Sequence, residues 1–224
     1  KDLRSLDGMD TTFIICVGDR VAEDGAQDIS LITKAVEQLK GVQGTVVLRS
    51  TIIPSSLARL SFDYYVPEFL HEKKAVAEAR CPYYLVIGKK TNKPEPHFFK
   101  QWRENSHKIF TGTPEEASYV KYLSNLWNSL RIAFVNEFGN AIANPPNKDG
   151  VQSIQKVLNF AFDGRSYMRY GKSFDGHCLP KDTRAFIRFL KDSGRNAALL
   201  EGTYSSNEFQ KKLEVETGLP VYLE

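Results

Sequence analysis

The sequence predicts an α/β chain that turns all-α partway along: a parallel sheet first, then a helical part built on one long helix. Three observations lead there. The first third alternates short β-branched runs with helical periods, a pattern that belongs to parallel sheets with helical crossovers. At Thr113-Pro114-Glu115-Glu116 three helix-start signals coincide: an N-cap Thr, a Pro at the first helical position and a Glu at the third. Beyond that point apolar residues recur at helical spacing. The expected division is therefore 1–112 and 113–224.

Each element has its own signal. Thr12 to Val17 (TFIICV) is short, apolar and β-branched and stops at Gly18, as a buried parallel strand does. Asp28 stands as the N-cap of a helix to about Lys40, with Ile29, Ile32, Val36 and Leu39 on one face. Gly41 and Gly44 end it, and Thr45 to Leu48 (TVVL) is the next strand; Phe62 to Val66, Tyr83 to Ile87 and Lys108 to Phe110 are further strand-like runs. After Thr113, the residues Val120, Leu123, Leu126, Trp127, Leu130, Phe134, Phe138 and Ile142 keep a helical period until Asn144-Pro145-Pro146 stops the helix. Shorter helices are expected over 151–160, 181–192 and about 197–212, before Gly218-Leu219-Pro220 leads into a short apolar tail.

Composition narrows the function classes. With 224 residues, 42% hydrophobic and 25% charged, the chain suits one large or two small globular domains. A net charge of +3, with Lys and Arg interspersed among acids, is too mild for a nucleic-acid partner and leaves a small anionic substrate open. Cys16, Cys81 and Cys178 are far apart, odd in number and form no CxxC, so no disulfide framework and no metal site is expected, and a reducing cytoplasm fits. No apolar run approaches the ~20 residues of a membrane span and no signal peptide opens the sequence, so no membrane association is expected. The first residue, Lys1, points to a processed, trimmed or fragmentary sequence.

Candidate chemistry gathers at a few places. Gly176-His177-Cys178-Leu179-Pro180-Lys181-Asp182 sets a thiol just before an expected helix start, where backbone N–H groups and the Lys181 cation favour a thiolate. The same cysteine would serve equally as a small buried apolar residue. Lys121 and Asn125, four apart on the long helix, project from one side and either point into a cleft or lie at the surface. Ser50-Thr51 and Pro67-Glu68-Phe69-Leu70-His71-Glu72 follow expected strands at their carboxyl ends, where α/β sheets gather ligands, though helix caps would also account for them.

Taken together, these segments resemble the UDP-glucose/GDP-mannose dehydrogenase family. Its S-T-x-x-P is Ser50 to Pro54, its P-E-F-L-x-E is Pro67 to Glu72, and its K-x-x-x-N followed by F-x-N-E is Lys121, Asn125 and Phe134 to Glu137. Its G-x-C-L-P-K-D-T is Gly176 to Thr183, and a later N-x-x-Q is Asn207 to Gln210, so five motifs fall in order over about residues 13 to 211. The resemblance implies NAD-dependent oxidation of the C6 alcohol of a UDP- or GDP-sugar to a uronate. By residue match Cys178 would form a thiohemiacetal and then a thioester; Lys121 and Asn125 would stabilise the oxyanion; Asp182 and Glu68 would move protons and orient water. Thr51 would hold a water or a cofactor edge, with Glu72 in the same cofactor network, and the long helix would pack a homodimer.

Departures shape that expectation. No G-x-G-x-x-G occurs in the sequence, so the first part resembles the second half of a Rossmann-like NAD-binding domain, and the family's C-terminal nucleotide domain has no counterpart after Gln210. Val66, Lys73, Ser118 and Asp175 stand where the family has Asn, Gly, Glu and Gly. Two readings follow: an enzyme of this family, or a non-catalytic remnant that dimerises or binds a sugar nucleotide.

Overall fold

A computed structural model describes residues 3–71, 74–143, 147–163 and 167–219. The chain divides into two compact units, the first running through Ala22 and from Ala26 to Tyr122, the second comprising Glu23–Gly25 and the chain from Leu123 onward.

The first unit is built on a five-stranded sheet. Its strands are β1 (Thr12–Ile15), β4 (Thr45–Leu48), β5 (Tyr64–Tyr65), β6 (Tyr84–Lys89) and β7 (Lys108–Gly112), adjacent in that order. The strands β2 (Arg20–Val21) and β3 (Gln27–Asp28) form a separate antiparallel pair. β1, β4 and β5 run parallel, as do β6 and β7, but β5 pairs with β6 antiparallel, so the sheet is mostly parallel with one reversal. Strand direction leaves no trace in a short apolar run, which is why periodicity did not show the reversal.

Burial explains the apolar run Val46-Val47-Leu48 of β4: all four residues of the strand, Thr45 included, are buried, Val46 and Leu48 in one core cluster and Val47 in another. The first cluster takes in Ile32 and Val36 of α1 (Ser30–Gln38) and Leu57 of α2 (Pro54–Leu57). The second is aromatic, with Tyr64, Phe99 and Trp102, the last two from α4 (Phe98–Asn105); the short α3 (Ala75–Arg80) precedes β6. β1 departs from the expectation of a strand buried on both faces. It is an end strand of the described sheet and Ile14 is exposed, so its burial alternates. Asp28 acts one residue earlier than expected: its Oδ1 accepts from the Ser30 N–H at 2.8 Å, and Ile29 occupies the N-cap.

The long helix α5 (Pro114–Ile142) starts as a reciprocal capping box. The Thr113 N–H donates to Glu116 Oε2 at 2.8 Å, and the Glu116 N–H donates to Thr113 Oγ1 at 3.2 Å. The expected stop at Asn144-Pro145-Pro146 lies outside the described residues. The second unit continues with α6 (Lys148–Phe162), α7 (Cys178–Asp192) and α8 (Ala198–Thr217), and its apolar cluster joins Val135 of α5, Ile154 and Leu158 of α6, and Tyr170.

α5 splits the expected apolar stripe. Of its periodic residues Leu126 is buried and Val120 packs against the first core cluster, while Leu123, Trp127, Phe134, Phe138 and Ile142 are exposed, Leu123 at 69%. The buried side mixes Tyr122, Leu126, Ala133 and Val135 with the polar Lys121, Asn125, Ser129 and Asn136. Most of the large apolar residues read from the sequence therefore face solvent.

Candidate active site

α7 begins one turn earlier than its apolar period suggested, and Cys178 is its first residue. Pro180 falls in the first turn, where a missing N–H costs nothing, so the Cys-Leu-Pro segment enters the helix rather than preceding it. Gly176 sits at φ +77°, a left-handed conformation that suits glycine and turns the chain into the helix. The N-cap is His177, whose side chain makes no capping hydrogen bond. The first-turn amides therefore lack a side-chain cap, and their partial positive charge falls where the exposed Cys178 thiol lies. Its exposure rules out the alternative of a small buried apolar residue.

The next residues of α7 turn inward. Lys181, Asp182 and Thr183 are buried. Lys181 Nζ donates to Asp182 Oδ1 at 2.7 Å, and Asn125 Nδ2 of α5 donates to Asp182 Oδ2 at 2.6 Å. Both carboxylate oxygens thus have donors, which is what a buried carboxylate requires. Thr183 Oγ1 donates to the Leu179 carbonyl at 2.8 Å and lies 3.1 Å from Ser129 Oγ, tying α7 to the polar side of α5. The sequence cast Lys181 as a cation acting on the thiol; the structure commits its ammonium to Asp182, so the pair is compensated.

The chain leading into α7 is held by motif residues whose role the sequence did not reveal. Asn136 Oδ1 accepts from the Gly171 N–H at 2.8 Å while its Nδ2 donates to the Lys172 carbonyl at 2.8 Å. Asn207 of α8 grips both backbone groups of Phe174, accepting from its N–H at 2.7 Å and donating to its carbonyl at 2.9 Å. Gln210 Nε2 donates to the Gly171 carbonyl at 3.4 Å. Three buried amide side chains thereby fix the segment that aims Cys178.

In the first unit, Thr51 and Glu68 follow β4 and β5, which are parallel neighbours, so both lie at carboxyl ends of adjacent strands. The loop after β4 is clamped by Gln27, a residue with no sequence signal. Its Nε2 lies 2.7 Å from Asp19 Oδ2, 3.1 Å from the Thr51 carbonyl and 3.3 Å from the Tyr122 hydroxyl, and its Oε1 accepts from the Ile53 N–H at 2.9 Å. Ser118 Oγ donates to the Ile52 carbonyl at 2.6 Å, which gives this departure from the family pattern a structural use. Glu68 is ion-paired with Arg49, the residue after β4; the guanidinium stacks 4.6 Å from the Trp102 ring centroid, and burial pushes its pKa down to about 10. Arg49, too, went unnoticed in the sequence. Lys121 of α5 is buried, its Nζ 5.2 Å from the Phe69 ring centroid, and Asn125 one turn on is buried as well, so neither is a surface residue. Glu72 lies outside the described residues.

Among the described residues no group of His, Cys, Asp and Glu could hold a metal ion, and no helix is long and apolar enough to cross a membrane. For a dinucleotide, the residues present fit one side only. Asp19, Thr51 and Glu68 follow the carboxyl ends of β1, β4 and β5, the edge at which α/β sheets receive ligands, and the sequence has no Gly-rich phosphate loop.

The described residues thus combine a mostly parallel sheet in one unit with, in the other, a helix headed by an exposed cysteine and backed by a buried Lys-Asp-Asn cluster. Residues 115–209 match the central domain of the UDP-glucose/GDP-mannose dehydrogenase family, and the chain belongs to that family. GDP-mannose 6-dehydrogenase of Pseudomonas aeruginosa is 32% identical over an alignment covering 93% of this chain and 53% of that protein. UDP-glucose 6-dehydrogenase of the same organism is 28% identical, with 91% and 49% covered. In three dimensions the chain is similar to a UDP-glucose dehydrogenase from the hyperthermophilic archaeon Pyrobaculum islandicum, with a TM-score of 0.76, 27% identity, and 92% of this chain and 53% of that one covered. The chain spans about half the length of these relatives.

Proposed function

We propose that this chain carries the thiol chemistry of an NAD-dependent, cytoplasmic nucleotide-sugar 6-dehydrogenase acting on a UDP- or GDP-sugar. The supporting observation is the exposed Cys178 at the head of α7, backed by the buried Asn125–Asp182–Lys181 cluster. NAD, when bound with Thr51 and Glu72 at its edge, accepts the hydrides. Everything else falls to the protein.

The C6 alcohol loses a proton and a hydride to become an aldehyde. Cys178 Sγ adds to its carbonyl carbon, giving a thiohemiacetal whose alkoxide is stabilised by Lys121 and Asn125. Loss of a second hydride from that carbon leaves a thioester, so the aldehyde never departs. Water, oriented by Glu68 and Asp182, adds to the thioester carbon and expels the thiol, yielding the uronate. Asp182 acts here from a fixed position, because Asn125 and Lys181 hold both its oxygens. The same reading includes a homodimer through the apolar stripe of α5, for which the exposure of Leu123, Trp127, Phe134 and Phe138 is the support.

The test is to incubate the purified chain with NAD and either UDP-glucose or GDP-mannose, follow NADH absorbance, and search quenched protein for an acyl adduct on Cys178 by mass spectrometry. The reading expects both signals, and loss of both in Cys178→Ala. If neither sugar gives NADH or adduct although the stripe dimerises the chain, the non-catalytic dimerisation module is the better account.

A further inference from the structure

We propose that the aromatic cavity beside Arg49 is a binding site for an uncharged planar ring bearing a carbonyl oxygen, such as a nucleobase or an aromatic amide. The cavity lies wholly within the first unit and measures about 260 Å³, the scale of one ring system rather than of a whole cofactor. Arg49, Phe69, Tyr83, Tyr84 and Trp102 are among its walls.

Three features select the ligand. The first is the rings: Tyr83 and Tyr84 meet edge-to-face at 4.8 Å between centroids, and Phe69 lies 5.5 Å from Tyr84. Tyr83 also meets the His107 ring at 5.5 Å between centroids yet stays 55% exposed, and an entering ring would gain the edge-to-face contacts aromatic groups favour. The second is charge. Arg49 is compensated by Glu68, and the Glu78 carboxylate accepts from the His71 N–H at 2.6 Å and lies 2.9 Å from the His71 ring, so the described lining offers no unpaired Arg or Lys to an anion. The third is a donor. Arg49 Nη1 is buried with no hydrogen-bond partner among the described residues, a costly condition that a carbonyl acceptor would relieve.

Glu68 lines this cavity and also carries a role in the oxidation proposed above, so the test reads binding rather than turnover and its failure leaves that oxidation untouched. The chain has two tryptophans, so Trp127→Phe leaves Trp102 as the sole indole reporter. Titration of that protein with benzamide should change Trp102 emission saturably, benzoate should bind about fivefold more weakly or worse, and Tyr83→Ala should weaken benzamide by about fivefold. In parallel, benzamide should shift the ring protons of His71 and His107, which line the cavity, in the unmutated protein, a readout that does not depend on any variant folding. The proposal is overturned by an unsaturable response with unshifted histidines, by benzoate binding as tightly as benzamide, or by a folded Tyr83→Ala that binds unchanged.

Discussion

The sheet of the first unit and the helix α5 follow opposite rules. In β4 the apolar residues are buried and nothing polar interrupts them. In α5 the large apolar residues Leu123, Trp127 and Phe134 face out while Asn125, Ser129 and Asn136 face in. An apolar core stabilises in proportion to area and tolerates repacking; a buried polar cluster is worth keeping only if every member is satisfied. The Asn125–Asp182–Lys181 set meets that condition, and Asn136 meets it by holding the segment before α7. The contrast teaches that α5 uses its inner side to place polar groups and carries large apolar residues on its outer side, the feature on which the proposed dimer rests.

The largest expected effect comes from breaking the inner side. Lys181→Met leaves the Asp182 carboxylate buried without its cation and should cost about 3–5 kcal/mol in denaturant unfolding. Lys181→Met combined with Asp182→Leu should cost less than the single change, because no uncompensated charge remains. Leu48→Ala in β4 should cost about 2–5 kcal/mol by the same measurement, through a simple cavity. A smaller loss is expected from Gly139→Val on α5, since the ring of buried Tyr170 occupies the space of any added side chain; overpacking of this kind costs about 1–3 kcal/mol.

Tyr170 also sets a pH dependence. Burial raises its pKa to about 12, and its hydroxyl donates to Asn140 Oδ1 at 2.6 Å. The unfolded tyrosine releases its proton near its ordinary value of about 10, whereas the folded one keeps it. Stability is therefore intact below about pH 10 and falls between about pH 10 and about 12, and Tyr170→Phe should flatten that fall in a pH series of thermal melts. The smallest effect on stability is expected on the outer side of α5. Phe134→Glu should change unfolding by no more than about 0.5 kcal/mol while lowering the mass seen by light scattering to that of a monomer. A monomeric parent chain would remove the partner from the comparison.

How much of this was legible follows the same divide. β4 was readable to the residue because a strand buried on both faces reads as a near-continuous β-branched and apolar run, here Thr-Val-Val-Leu, and the start of α5 because Thr113 and Glu116 announce a capping box. The two-residue strands β2 and β3, and the short helices α3 and α4, carry too few residues to show a period. Periodicity found the stripe of α5 without its destination, since spacing alone does not say whether an apolar face meets its own core or another surface. At the candidate site, motifs picked out Cys178, Asn125 and Asp182, which the structure gathers around the start of α7. They also picked out Asn136, Asn207 and Gln210, whose work is to hold backbone, and spacing alone does not show that. Arg49 and Gln27 act through partners distant in sequence and left no local pattern.

The central claim is that Cys178 is the reactive thiol. All three cysteines are exposed, so differences in their alkylation report chemistry rather than access. Timed reaction with iodoacetamide, read as labelled peptides, should modify Cys178 well ahead of Cys16 and Cys81. Equal rates at the three positions would contradict the claim.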